Sequence, residues 1–432
     1  MGKPARYLKN VRDQYEHYSF PKRDPEMERQ RLIQCEMDML ARVNHYCFAG
    51  RQSFGPGFRA LVAGGGTGDS AVFLAHQLAP RGGRVTYVDI SAHSMSVAKQ
   101  RAAIRGLDNI DWVHASILDL PGLGLGRFDY VNCVGVLHHM ADPDEGLRSL
   151  AAVLAEDGAM GLMVYGRYGR MDIYATQDLM RLALAGERSL SGKVAAAKDV
   201  LQRLPPNNIL LRGRDRAATL RLLLDDEPNL FDALLHEQDR SYTVDECYDF
   251  VEQAGLELVE FTNYHSAGGV CRLEYDPALY LDGLPVMERI RKMPRRTRQT
   301  IAEIINGSMG LHSFYAARRA GTVAGFDDPD MVPFHPTTHA VQACRSIAEA
   351  GRPTAVSLRF EVKLRLEPGP ATVAMLNMVD GRTTLGEIRR RLGKHDRAAL
   401  AADFDRLNAL NFLMLRHKDA DPVPIVEKTY AP

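Results

Sequence analysis

The stretch ALVAGGGTGDS, residues 60–70, places glycine at four of the five positions from 64 to 68. Glycine loses more backbone freedom on folding than any other residue, so such a run needs a reason. It marks a tight turn with positive φ, or a place where another group comes close to the backbone. A short apolar run leads into the glycines, and DSAVFLAHQLA follows with helical periodicity. Gly64, Gly66 and Gly68 therefore form G-x-G-x-G at a strand-to-helix turn, where a helix N-terminus presents unpaired N–H groups.

Outward from this turn the pattern repeats. RALVAG, RVTYVDI, IDWVHAS, FDYVNCVG and AMGLMVYG read as strands, with AHSMSVAKQRAAIRG and PDEGLRSLAAVLAEDG among the helices between them. The last helix is expected to stop at its Asp-Gly pair. Strands alternating with helices predict an α/β fold with a doubly wound parallel sheet covered on both faces. The nearly continuous apolar strands suit burial on both sides. LELVEFTNY and LHSFYAARR add two later strands.

Around this core, residues 1–50 read as a helical arm or cap, on the strength of EMERQRLIQCEMDMLARVNHYC. Residues 51–165 are the ligand-binding core and 166–240 a helical insertion serving as a lid. The core resumes over 241–320, where TVDE at Thr243 to Glu246 is a capping box. AGTVAGFDDPDMVPFHPTT is a boundary loop, and 335–420 form a small α+β domain read as strand, helix, turn, helix, helix, strand.

Composition narrows the function classes. Lys plus Arg and Asp plus Glu each number 54 in 432 residues, so no net charge draws the chain to nucleic acid or an anionic membrane. The first residues lack the apolar core of a secretory signal, and no run of 18 apolar residues predicts a membrane span. Cys35, Cys47, Cys133, Cys247, Cys271 and Cys344 form no C-x-x-C pair. Their scatter suits reduced thiols in a cytoplasm, with neither a disulfide framework nor a metal site. The expected partner is a small molecule or peptide, and any assembly a homodimer.

Asp89 closes the second strand, 21 residues after Gly68, where a carboxylate accepts hydrogen bonds from ribose hydroxyls. The ligand is therefore read as a nucleoside. A dinucleotide site prefers G-x-G-x-x-G, and its third glycine falls on Asp69 here. A carboxylate at that position suits a cofactor with a cationic head and no phosphate better than a pyrophosphate.

ALVAGGGTGD, VTYVDIS, FDYVNCVGVLHHMADP and LAEDGAMGLMVYG resemble, in order, the successive motifs of class I S-adenosylmethionine (SAM)-dependent methyltransferases. The resemblance covers roughly residues 55–170 and 240–320. It implies a seven-stranded Rossmann-like sheet with an antiparallel last strand, and SAM as cofactor. It implies that Gly64, Gly66 and Gly68 line the methionine portion and Asp89 holds the ribose, with Ile90 against the adenine. Ser116 and Ile117 then flank the adenine edge, and Cys133 and Val134 offer backbone groups near the amino-acid end. Two positions depart from the family pattern: Val62 stands where an acid is common, and Ser116 where Asp is common.

Methyl transfer is an in-line displacement that mainly requires alignment and exclusion of water. A base is needed only where the acceptor must lose a proton. His138, His139 and Tyr165 are the candidate catalytic residues, and Tyr15, Tyr18, Arg167 and Tyr168 the candidate acceptor contacts. Asp239 and Arg240 read as an ion pair. DGRTTLGEI followed by DFDRLNALNFLML resembles PqqD-like peptide-recognition modules and, less specifically, winged-helix domains. Two other functions stay open at this point: a nicotinamide-dependent oxidoreductase, and a binding or scaffold protein that keeps the fold without catalysis.

Overall fold

The structure is a computed structural model that describes residues 12, 15–212, 215–262, 272–350, 354–357 and 363–425. Cys271 lies outside the described residues. In the main sheet, β1 is Arg59–Ala63, β2 Arg84–Asp89, β3 Ile110–His114, β4 Phe128–Val134 and β5 Leu154–Gly166. The short β6 (Ser241–Tyr242), β7 (Glu257–Thr262) and β8 (Leu311–Ala317) follow. The order is β3-β2-β1-β4-β5-β8-β7, with β6 beside the end of β5. The ladders joining β1 to β5 are parallel, and β8 runs antiparallel to both β5 and β7. This is the α/β sheet expected from the alternating pattern.

Period-two alternation explains why both faces are apolar. Leu61, Val131, Leu162 and Phe314 point into one core, and Ala60, Val62, Tyr130 and Tyr315 into the other. The TVDE box forms as read: the Thr243 hydroxyl accepts from Glu246 N, and the Glu246 carboxylate accepts from Thr243 N. The insertion has its own core, in which Ala197 and Leu201 of the helix Leu190–Gln202 meet Phe231 and Leu234.

Three local expectations are corrected. The arm is not one amphipathic helix; it has short turns at Pro25–Arg29 and Glu36–Asp38 and a helix at Leu40–Cys47. Buried partners break it up. Glu28 turns inward to Arg101 and Arg105, and Asp38 accepts from Tyr130 and Asn132. The helix Pro143–Val153 stops before the Asp-Gly pair, because Leu154 already pairs with Phe128 across a β-bulge. The boundary loop holds strand β9 (Met331–Phe334), which is claimed by an antiparallel partner 80 residues on, β12 (Met414–His417).

Helices Pro370–Leu376, Leu385–Leu392 and Arg397–Ala409 complete the C-terminal module, with a hairpin of β10 (Thr354–Ser357) and β11 (Lys363–Leu366). The module is seated on the core. Met414 belongs to the same apolar cluster as Tyr46 and Tyr315, and Tyr46 Oη donates to Asn408 Oδ1 at 3.1 Å. His45 Nδ1 accepts from Leu415 N at 3.1 Å, while Nε2 meets Asn408 Nδ2 at 3.0 Å. Burial pushes the His45 imidazole down to about 3, so it is neutral at pH 7. Its folded value lies below its unfolded one. The stability it contributes is therefore complete above about pH 6.5 and lost as pH falls toward 3. Thermal unfolding from pH 7 to 4 is expected to fall more steeply in the native chain than in His45→Gln; parallel slopes would contradict this role.

Candidate functional site

The carboxyl ends of β1 to β5 converge on a cavity of about 550 Å³, within the usual range for small-molecule sites. Gly64 to Gly66 come from the first turn, Asp89 and Ile90 from the second, and Ala115 to Leu118 from the third. Asn132, Val134, His139 and Met140 follow from β4 and its loop, then Tyr165 from β5. The arm closes over the opening with Tyr15, Phe20, Pro21 and Arg23, and the insertion contributes Asp232.

The glycines answer to their neighbours. Gly64 has φ +73°, and a Cβ there would lie 2.4 Å from Val136 Cγ2. Gly66 has φ +50°, and its Cβ would meet the Phe20 carbonyl oxygen at 2.9 Å. The loop N–H groups are largely committed inside the protein. Those of Gly64 and Gly65 donate to Val88 O, that of Gly68 to Gly65 O, and that of Gly66 to Asp89 Oδ2. A pyrophosphate would need those donors free, so the loop fits a phosphate-free nucleoside ligand better than a dinucleotide.

Asp89 suits that ligand. Its two oxygens accept from Gly66 N and Ser91 N, each at 2.8 Å. A carboxylate has about four acceptor positions, which leaves room for two ribose hydroxyls. Burial raises the Asp89 carboxyl, and the Ser91 and Gly66 N–H groups oppose that rise. Ile90, Ile117 and Leu118 give an apolar slot for a base. Ser116 caps its own turn, accepting from Leu118 N at 3.2 Å while lining the same cavity.

Asp69 is held by the protein rather than left for a cationic head. Arg23 donates to both its oxygens, and Arg101 Nη1 to Oδ1 at 2.6 Å. Burial alone would raise this carboxyl, but Arg23 and Arg101 together hold it below the usual range. Arg101 is 1% exposed and also grips Glu28 and the Thr67 carbonyl, tying the arm to the glycine turn.

Some anticipated residues lie elsewhere. Gly68 starts the helix Asp69–Leu78 with φ +98° and packs on Ala98, away from the cavity. Cys133 points into the sheet core between Asn132 and Val134, which do line the cavity. His138 lies behind the wall. It is fully buried, its ring tilted 34° against Tyr165 with the centroids 3.9 Å apart, and neither ring nitrogen has a hydrogen-bond partner. Burial first, then His139, Arg170 and His236, hold it well below the usual histidine range. Tyr18 stacks on Phe231, Arg167 pairs with Glu246 on the surface, and Tyr168 sits in the turn Tyr168–Arg170. Asp239 accepts from Tyr174 and Gln177 in place of an Arg240 pair.

The cavity's far end holds a cluster that the sequence reading did not assemble. Tyr15 Oη donates to Asp232 Oδ1 at 3.2 Å, and Tyr165 Oη to Asp232 Oδ2 at 2.9 Å. His236 Nδ1 accepts from Gln238 N at 3.1 Å, so its proton is on Nε2, 3.3 Å from Tyr15 Oη. His139 Nδ1 lies 2.9 Å from the Gln238 carbonyl and donates to it, which turns Nε2 toward the cavity and Asp232 Oδ1 at 3.9 Å. The two imidazoles stack at 3.8 Å. Burial pushes both tyrosine hydroxyls well above their usual range, with Asp232 adding to the rise. Asp232 and His236 are four apart in FDALLHEQD; a polar pair at helical spacing in an apolar segment was the available signal. Arg23 carried none.

Residues 61–160 match the family model described as a methyltransferase domain. An uncharacterised protein of Synechococcus is 32% identical over 264 residues, which is 60% of this chain and 60% of that protein. The tRNA 5-carboxymethoxyuridine methyltransferase of Escherichia coli K12 is 35% identical over 112 residues, 26% of this chain and 41% of the enzyme. The chain thus spans from about two fifths to three fifths of these curated relatives. Among solved structures, PKMT2 from Rickettsia typhi in complex with AdoHcy superposes with a TM-score of 0.53 at 14% identity. That match covers 93% of this chain and 76% of the other, a likeness of fold.

Proposed function

We propose that this chain is a class I SAM-dependent methyltransferase, as the methyltransferase-domain match over residues 61–160 supports, and that it transfers the methyl group of SAM to an acceptor held between Tyr165, His139 and Asp232. The supporting observation is one continuous cavity joining the nucleoside end, with Asp89 at its centre, to a polar cluster at the far end. Asp89 holds the ribose, and Ile90, Ile117 and Leu118 the adenine. Arg23 lines the cavity beside the glycine turn while paired with Asp69. When bound, SAM supplies an electrophilic methyl group on a sulfonium. Tyr15, Phe20 and Pro21 shield that end from water, as a displacement of this kind requires.

His139 Nε2 is the base. Its Nδ1–H is fixed by the Gln238 carbonyl, so the lone pair faces the acceptor. With [methyl-³H]SAM and a pool of cell metabolites and peptides, the native chain is expected to move label into an acceptor and release S-adenosylhomocysteine. His139→Ala is expected to slow transfer by about 10²- to 10⁴-fold, the usual contribution of a positioned base, while binding SAM as tightly. Equal rates would remove His139 from the chemistry.

A further inference from the structure

One amide in the cavity wall has its orientation dictated by the protein. Asn132 lies on β4, registered directly beside Val62 on β1, and both residues line the cavity. Its Nδ2 donates to Asp38 Oδ1 at 2.8 Å and to Oδ2 at 3.0 Å. Asp38 belongs to the turn Glu36–Asp38 of the arm, is fully buried and stands behind the cavity wall rather than in it. The NH₂ group therefore points away from the cavity, and the carbonyl oxygen Oδ1 is the polar atom that Asn132 turns toward it. An amide facing a carboxylate is not free to flip, because the reversed form would set oxygen against oxygen.

Asp38 adds charge to this orientation. Its side-chain partners are the neutral groups of Tyr130, Asn132 and Ser70. Burial pushes the Asp38 carboxyl up to about 6, and the hydrogen bonds from Ser70, Asn132 and Tyr130 oppose that rise, so it is ionised at pH 7.5. A carboxylate bonded to the NH₂ side polarises the amide and deepens the negative charge on Oδ1. Asp69, an acid at the same glycine turn, is held by Arg23 and Arg101. The wall beside that turn thus presents a directed acceptor with a buried negative charge behind it, an arrangement that recognises a cationic donor.

Resting on the methyltransferase reading above, we propose that Asn132 Oδ1 is the acceptor for the α-ammonium group of SAM, with Asp38 as the residue that positions it. The spacing agrees. Asp89 closes β2 and Asn132 lies on β4, with β1 between them. Two inter-strand spacings separate them by about 10 Å across the sheet, comparable with the extended reach from a ribose hydroxyl along the methionine chain to its α-amino group. The arm then has two tasks: it closes over the cavity, and it carries the carboxylate that aims a contact on a central strand.

The test uses the full chain at pH 7.5 and two probes titrated by calorimetry, S-adenosylhomocysteine and its analogue with hydrogen in place of the α-amino group. The native chain is expected to bind S-adenosylhomocysteine about 10- to 100-fold more tightly, the worth of a hydrogen bond to a charged group. Asn132→Leu, close in volume, is expected to lower S-adenosylhomocysteine affinity at least tenfold while the analogue stays within threefold of native, which also reports that the variant is folded. Asp38→Asn keeps the shape, removes the charge and is expected to narrow the preference at least threefold. It decides the matter alone where Asn132→Leu shows no cooperative thermal transition. An equal loss of both ligands in a folded Asn132→Leu, a preference unchanged in Asp38→Asn, or a native chain that binds the analogue as tightly as S-adenosylhomocysteine overturns the proposal. Failure of the native chain to bind either probe sinks the methyltransferase reading itself, and the Asn132 assignment with it.

Discussion

Asp89→Ala is expected to weaken SAM binding by about 10²- to 10⁴-fold. The carboxylate has two acceptor positions beyond those used by Gly66 N and Ser91 N, and each suits one ribose hydroxyl. A hydrogen bond to a charged group contributes about 1.5–3 kcal/mol, and two such bonds give the range stated. The substitution also frees the Gly66 N–H, whose bond to Asp89 fixes the glycine turn. Asp89→Asn keeps the shape but turns one acceptor into a donor facing an N–H, so an intermediate loss is expected. Equilibrium dialysis with labelled SAM measures all three proteins. An affinity within threefold of native for Asp89→Ala would mean that the ribose is held elsewhere.

Arg101→Met is expected to destabilise the fold by about 3–5 kcal/mol, the usual cost of leaving a buried ionic partner uncompensated. Arg101 is 1% exposed and sits between Glu28 at 2% and Asp69 at 8%. Arg105 and Arg23 each hold one end of the same chain of charges. Losing Arg101 leaves Glu28 with Arg105 alone and Asp69 with Arg23 alone, and it frees the Thr67 carbonyl in the glycine turn. SAM affinity is therefore expected to fall with stability, since the arm and the turn lose their common anchor. Urea unfolding measures the first effect; a loss below about 1 kcal/mol would mean the network relaxes around the gap, contrary to the cost expected for a broken buried pair.

Much of the sheet was legible in the sequence because doubly buried strands are apolar almost throughout and glycine marks the first turn. Asp89 was legible for the same reason: its place is set by the strand that ends there. What sequence spacing could not convey was long-range pairing of charge. EMERQRLIQCEMDML has helical periodicity, yet Glu28 and Asp38 are drawn to Arg101 and to Asn132, 73 and 94 residues away, and the helix gives way to turns. The same limit explains the site. His139 was named because it follows a strand end, whereas Asp232 and Arg23 line the cavity from the insertion and the arm and His236 stacks on His139, contacts that strand-end position does not convey. Asp69 illustrates both sides. It argued against a dinucleotide by breaking the third glycine position, but its carboxylate serves Arg23 and Arg101 rather than a ligand's cationic head.

The central claim is that the committed glycine loop and Asp89 form a SAM site. Calorimetric titration of the native chain with SAM, S-adenosylhomocysteine and NADH tests it most directly. The expected result is binding of SAM and S-adenosylhomocysteine at one shared site per chain, each displacing the other, with no heat from NADH. Absence of binding by either sulfur compound at millimolar concentration, or saturable binding of NADH in their place, would contradict it.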